Sequence, residues 1–284
     1  MNFSEEPVRF DCANETLLGI LARPAHPAGI GVVIIVGGPQ TRVGSHRQFV
    51  LLARALAAAG YPALRFDARG RGDRTGSPRD FEAITPDIGA AVDALRAACP
   101  AVERIALWGL CDAASAALLY CDDTRDSRIA GLCLLNPWAR SESTQAKTQI
   151  KHYYGQRLLQ PEFWRKLLTG RLNIARALAE FLRKLTRASR AAAPGGASPR
   201  LTFQERMARG WRDFPGSILL ILSGDDYTAK EFLEYVAAHS SWQGALSHPA
   251  LSRIDVAEAD HTFSSAAWRE KVETASLGWL RAMT

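Results

Sequence analysis

Three short stretches, far apart in the chain, carry side chains that can act together on an electrophile. The first is Trp108-Gly109-Leu110-Cys111-Asp112-Ala113-Ala114, where a cysteine directly follows an apolar run and a series of small residues begins. The second is Gly224-Asp225-Asp226-Tyr227-Thr228, with two adjacent carboxylates. The third is Ala259-Asp260-His261-Thr262-Phe263, which holds a histidine. A thiolate attacks acyl carbonyls well, but a free cysteine with a pKa of ~8.5 is only slightly ionised at neutral pH. An imidazole within reach takes the thiol proton or pairs with the thiolate, and a carboxylate orients that imidazole and stabilises its charged form. The plainer alternatives are a cysteine that only fills core volume and a histidine on a surface loop.

The elements that must position these groups are legible from apolar patterning. The β-branched run 31–36 ends in Gly37-Gly38-Pro39 and reads as a buried strand stopped by a turn. Helical spacing over 49–59 stops at Gly60, and a second strand follows at 62–67. Further helices are predicted at 87–98 and 113–119, with strands at 104–109 and 129–136. A strand pair near 8–10 and 17–21 precedes this series. After an interruption, a strand at 217–222, a helix at 230–238, a strand at 251–256 and a helix at 265–281 complete it. Strand and helix alternating at this rhythm predict an α/β fold with a mostly parallel central sheet flanked by helices. Cys111 then stands where a strand turns into a helix, and Asp226 and His261 each follow a strand.

The interruption predicts an inserted helical cap. Residues 140–214 show no strand signal and contain basic helical segments with Trp and Tyr. This divides the chain into a core at 1–139, a cap at 140–214 and the rest of the core at 215–284. Sixteen basic residues stand against five acidic ones in 140–213, while the rest of the chain has 19 basic and 24 acidic residues. Such asymmetry suits an anionic partner such as acyl-CoA, an acyl carrier protein or a membrane surface. Its plainer reading is a set of solvated helix faces. No nucleic-acid motif accompanies the charge, so nucleic acid is not expected as a partner. His152, Tyr153, Tyr154, Trp138, Trp164 and Trp211 either line an acyl pocket under the cap or form its core.

Taken together, these features resemble the α/β-hydrolase superfamily. The turn around Cys111 is similar to its nucleophile elbow, G-x-S-x-G, with cysteine in place of serine and Ala113 in place of the second glycine. Nucleophile, acid and histidine follow in that superfamily's chain order, and Asp67-Ala68-Arg69-Gly70-Arg71-Gly72 is similar to its D-x-R-G-x-G turn. More narrowly, Gly37-Gly38-Pro39-Gln40, Val43 to Phe49, Gly109 to Asp112 and Ala259 to Phe263 resemble the exosortase A system-associated hydrolase 1 family, found in bacteria near exopolysaccharide and exosortase genes. The resemblance implies an α/β-hydrolase fold with Cys111 as nucleophile, His261 as base and Asp226 as the acid, with the adjacent Asp225 as the alternative. It places the oxyanion hole at the backbone N–H groups of Gly38 and Asp112. The Asp112 carboxylate, which would oppose a thiolate beside it, is expected to turn away, toward a basic group of the cap.

Gln40, His46, Trp138 and Tyr153 are candidate substrate contacts, although His46 equally suits a helix start. Arg69 and Arg71 suit bracing of turns. Because an acyl-cysteine is a thioester, the implied activity is acyl hydrolysis of an ester or thioester. The alternatives are acyl transfer to a non-water acceptor and a non-catalytic binding role. No metal-ligand spacing and no phosphate-binding loop is present, so neither a metal nor a cofactor is expected.

Composition bounds the rest. With 284 residues, 47% hydrophobic and 23% charged, the chain is long enough for a large core and unlike a disordered polymer. The longest apolar run covers 28–38, too short for the ~20 residues of a membrane span. The acidic start Asn2-Phe3-Ser4-Glu5-Glu6 lacks the apolar stretch of a secretory signal. Five cysteines without paired spacing suggest free thiols in a reducing cytoplasm.

Overall fold

The computed structural model describes residues 2–70, 80–140 and 201–283. The chain divides into two compact units, Met1–Ala139 with Leu201–Thr284, and Arg140–Arg200.

The centre of the first unit is an eight-stranded sheet ordered β1-β2-β4-β3-β5-β6-β7-β8. The strands are β1 (Phe3–Cys12), β2 (Glu15–Pro24), β3 (Ile30–Ile35), β4 (Ala63–Phe66), β5 (Arg104–Leu110), β6 (Ile129–Leu135), β7 (Ser217–Ser223) and β8 (Leu251–Val256). β1 and β2 pair antiparallel, as do β2 and β4, and every later pairing is parallel. The central strand β3 is buried at every position, which requires the uninterrupted run Ile30-Gly31-Val32-Val33-Ile34-Ile35. Edge strands must instead resist pairing with other chains. β1 carries Pro7 and four charged residues, and β8 exposes Arg253 and Asp255, whose side chains pair with each other.

Helices cover both faces. α1 (Gln48–Ala58) and α6 (Ala266–Met283) pack one face through Phe49, Leu52, Leu56, Trp279 and Leu280. α2 (Thr85–Ala98), α3 (Asp112–Thr124), α4 (Phe203–Arg212) and α5 (Tyr227–Ala238) pack the other through Ile88, Leu95, Leu118, Met207 and Phe232. Among the described residues, no helix is long and apolar enough to cross a membrane.

The basic composition of 140–214 predicts α4 within the inserted segment, and the structure places it in the core unit. Trp211 is fully buried, with its ring centroid 5.8 Å from Trp242 and 6.3 Å from Phe232, and its Nε1 donates to the Ala245 carbonyl at 3.0 Å. Trp211 is therefore core and not pocket lining. Gly210 brings α4 so near α3 that a Cβ there would overlap the Leu118 carbonyl oxygen. Arg206 and Arg209, part of the basic excess, pair with Asp122 and Asp123 of α3.

Candidate active site

β5 ends at Leu110 and α3 begins at Asp112, so Cys111 alone makes the turn between them. Its backbone sits at φ 62°, ψ −123°, a conformation that costs a non-glycine residue about 1–3 kcal/mol. The surroundings enforce it. Cys111 N–H donates to Leu135 O at 2.8 Å, and Cys111 O accepts from Ala114 N at 3.1 Å and Trp138 N at 3.2 Å. Gly109 permits the close passage of strand and helix, because a Cβ there would lie 2.6 Å from the Ala113 carbonyl carbon and oxygen. Ala113 is tolerated in place of the second glycine, packed with no exposed surface. The turn leaves Cys111 half-buried, whereas Cys12, Cys99, Cys121 and Cys133 are buried. Burial pushes the Cys99 thiol up and the Cys121 thiol up to about 12, which makes both poor nucleophiles.

His261 lies on the loop between β8 and α6. The Asp260 carboxylate shapes that loop by accepting from Thr262 N at 3.0 Å and Ser264 N at 3.1 Å. The imidazole Nδ1 donates to Asp226 Oδ2 at 2.8 Å, and the neighbouring Cys111 side chain favours the charged ring. The bond to Asp226 comes first, and the neighbouring Cys111 side chain second, among the causes that raise the His261 pKa to about 10 against the opposing effect of burial. The imidazolium form is thus favoured at neutral pH.

Asp226 is held by two elements at once. It is the N-cap of α5, with Oδ1 accepting from Thr228 N and Oδ2 from Ala229 N, both at 3.1 Å. Burial pushes its carboxyl up, but the hydrogen bond from His261 and those from the helix N-terminus outweigh it and hold the pKa low. Asp225 is exposed, and its backbone N–H donates to Ala259 O. The structure therefore brings Asp226, not Asp225, against His261.

The loop after β3 holds the glycine of the expected oxyanion hole. Asp67 pins this loop by accepting from Arg42 N at 2.6 Å and pairing with the Arg42 guanidinium. Gly38, at φ 55°, donates its N–H to Asp112 Oδ2 at 2.7 Å. The Asp112 carboxylate therefore faces this loop. It folds back onto Gly37 and Gly38, because the absence of a Cβ at Gly37 leaves space for Oδ1 and a helix N-terminus favours a negative group.

The other sequence candidates divide. Gln40 is half-buried and accepts from Gln48 Nε2 at 3.4 Å, bracing the loop onto α1. His46 is exposed, within a three-residue turn at φ 51°. Trp138 is half-buried and braces the elbow through its backbone, its carbonyl accepting from Ser115 Oγ at 2.7 Å. Arg69 braces its turn through a buried pair with Asp87. Arg71, His152, Tyr153, Tyr154 and Trp164 lie outside the described residues. No three metal-ligating side chains converge among the described residues.

Asn136 does not stand out in the sequence, yet it ties the site together. It is fully buried, at φ 42°, immediately after β6. Its Nδ2 donates to Ser223 Oγ at 2.7 Å and His261 O at 3.1 Å, and its Oδ1 accepts from Ser223 N at 2.9 Å. The end of β7 and the His261 backbone thus hang on one amide. The only signal in the sequence is an asparagine, tolerant of positive φ, between an apolar strand and Pro137.

Three comparisons bear on this arrangement. No curated protein matches the chain. Among solved structures, an esterase of Pyrococcus furiosus (Pf2001) is similar at 16% identity and TM-score 0.66, covering 99% of this chain and 91% of its own. A dienelactone hydrolase of Anabaena variabilis is similar at 14% identity and TM-score 0.60, covering 99% of each chain. At these identities the likeness is one of fold. The family model described as "Alpha/beta hydrolase family" matches residues 32–274, and on that match the chain belongs to the alpha/beta hydrolase family.

Proposed function

We propose that this chain is a cysteine-dependent acyl hydrolase, acting on an ester or thioester through an acyl-Cys111 intermediate. The observation that carries the reading is His261, hydrogen-bonded to Asp226 and with its charged form favoured by the neighbouring Cys111, which stands half-buried at φ 62°. A protonated imidazole beside a sulfur stabilises the thiolate. The sulfur attacks the acyl carbonyl and forms a C–S bond, and the oxygen gains the negative charge. Collapse of this intermediate breaks the bond to the leaving group, which takes a proton from His261. Neutral His261 then removes a proton from water as the water attacks the thioester. Breaking the C–S bond releases the carboxylic acid and restores the thiolate–imidazolium pair. Asp226 keeps the charged imidazole oriented throughout.

The narrower kinship with the exosortase A system-associated hydrolase 1 family is part of this proposal, carried by the glycine loop at 37–49, the elbow and the histidine loop. So is an anionic acyl carrier as substrate donor, which the basic balance of 140–213 favours.

The test is intact-mass analysis after incubation with p-nitrophenyl acetate and with a short acyl thioester. An acyl adduct on wild type that is missing from Cys111→Ala supports the reading. Equal labelling of the two proteins refutes it. Product analysis with amines, thiols and sugars present separates hydrolysis from acyl transfer: free acid supports the first, and acylated acceptor in excess replaces it with the second.

A further inference from the structure

Resting on the acyl-cysteine reading, we propose that Asp112 is a specificity-determining gate, whose carboxylate occupies the oxyanion position and must leave before an acyl oxygen can enter. The oxyanion of an acyl-transfer intermediate needs backbone N–H donors that point at it at ~2.7–3.1 Å. In this fold one donor comes from the loop after β3, and here Gly38 N–H already donates to Asp112 Oδ2 at 2.7 Å. The same position therefore accepts an anionic oxygen, which is what such a hole is built for, but that oxygen belongs to the protein.

The arrangement depends on the local sequence. Asp112 is the first residue of α3, so its carboxylate starts beside Cys111 and lies at the positive end of the helix. Gly37 offers no Cβ, and a Cβ there would overlap Asp112 Oδ1. Gly38 at φ 55° directs its N–H at Asp112 Oδ2. The carboxylate acts twice against acylation of Cys111: it competes for the Gly38 N–H and places negative charge beside the developing oxyanion. An acyl group enters only if its binding to the rest of the site displaces the carboxylate, so small, weakly held esters are disfavoured relative to substrates with extended contacts. The backbone N–H of Asp112 does not depend on the side chain and is present in every variant at this position.

The test separates this gate from a simple charge effect on the thiol. Wild type, Asp112→Ala and Asp112→Asn are each reacted with iodoacetamide, whose alkylation forms no oxyanion, and with p-nitrophenyl acetate, whose acylation does. Asp112→Ala takes the carboxylate acceptor away from the Gly38 N–H, whereas Asp112→Asn removes the charge but retains an acceptor for it. Release of one charge-assisted hydrogen bond predicts that acylation of Asp112→Ala accelerates by about tenfold or more beyond any gain in its alkylation. Asp112→Asn should show a smaller excess. Acylation that gains no more than alkylation, or that slows while alkylation persists, overturns the gate and leaves the acyl-cysteine reading intact. Alkylation of Cys111 with no acylation in any of the three proteins refutes the acyl-cysteine reading itself, and the gate with it.

Discussion

Replacing Asp226 by asparagine tests the proposed chemistry most sharply, because the change is nearly isosteric and its effects can be divided. Asp226 accepts from Thr228 N, Ala229 N and His261 Nδ1 at 3.1, 3.1 and 2.8 Å. An asparagine has one acceptor oxygen. If that oxygen takes the place of Oδ1, it keeps Thr228 N, and the amide NH2 replaces the oxygen that accepts from both Ala229 N and His261 Nδ1. The amide NH2 then faces His261 Nδ1 and forces the proton onto Nε2, where it opposes acceptance of a proton from the thiol. If the oxygen takes the place of Oδ2, it keeps both Ala229 N and His261 Nδ1 but sets the NH2 against Thr228 N, weakening the α5 cap by up to about 1 kcal/mol. Either way the carboxylate, whose hydrogen bond contributes most to raising His261 to about 10, is gone, so the imidazole pKa falls. Loss of one charge-assisted hydrogen bond accounts for about 10–100-fold in turnover. The wrong tautomer extends the loss toward ~10⁴-fold, the size of the effect when the triad aspartate of a serine protease is replaced by asparagine. The assay is the acylation rate of Cys111 against pH in Asp226→Asn and Asp225→Asn, with melting temperatures measured in parallel. A fall of about 10²-fold or more in Asp226→Asn, with its alkaline limit moved to lower pH, fits the geometry. Refutation comes from a loss under about threefold, or from Asp225→Asn proving the more damaging.

Three further outcomes follow from the same contacts. Asn136→Ala should lower kcat more than it alters KM and destabilise the fold by about 2–4 kcal/mol, since it strands buried partners on Ser223 and His261; unchanged kcat in a folded variant would remove Asn136 from the site's framework. Gly109→Ala should be among the most damaging single-methyl additions, at about 3 kcal/mol or more, because its Cβ would meet backbone atoms of Ala113 at 2.6 Å; a melting temperature equal to wild type contradicts the tight crossing. His261 has a folded pKa raised to about 10. Its stabilisation is therefore fully present below the unfolded value of ~6.5 and is lost as pH rises toward that raised value. The melting-temperature difference between wild type and His261→Gln should shrink over that interval, and a difference that grows with pH reverses the assignment.

Much of the architecture is readable from sequence because parallel strands covered on both faces must be apolar through their length, as in β3 and residues 218–222 of β7, and because their helices follow at regular distances. The elbow is readable for a related reason: only small residues fit where β5 and α3 cross, so Gly109, Ala113 and Ala114 announce the turn. What stays hidden depends on pairings that no local pattern encodes. α4 looks like part of a basic insertion because its partners Asp122 and Asp123 lie more than eighty positions earlier in the chain. Asp225 and Asp226 are equivalent as sequence, and what separates them is which one caps α5 while facing His261. The destination of the Asp112 carboxylate depends on the empty side of Gly37, a feature of the loop after β3. Asn136 is a single amide whose importance appears only when three chain segments meet around it.

The backbone of Cys111 carries a last consequence. At φ 62°, ψ −123° the residue best suited to that position on conformational grounds is glycine, which adopts such angles without a steric penalty. Selection for folding alone would therefore favour glycine there, and on the proposed chemistry selection for reactivity is what keeps the thiol. In a lineage that no longer needed the reaction, this would be among the first positions to drift, and the protein would become sturdier as it fell silent.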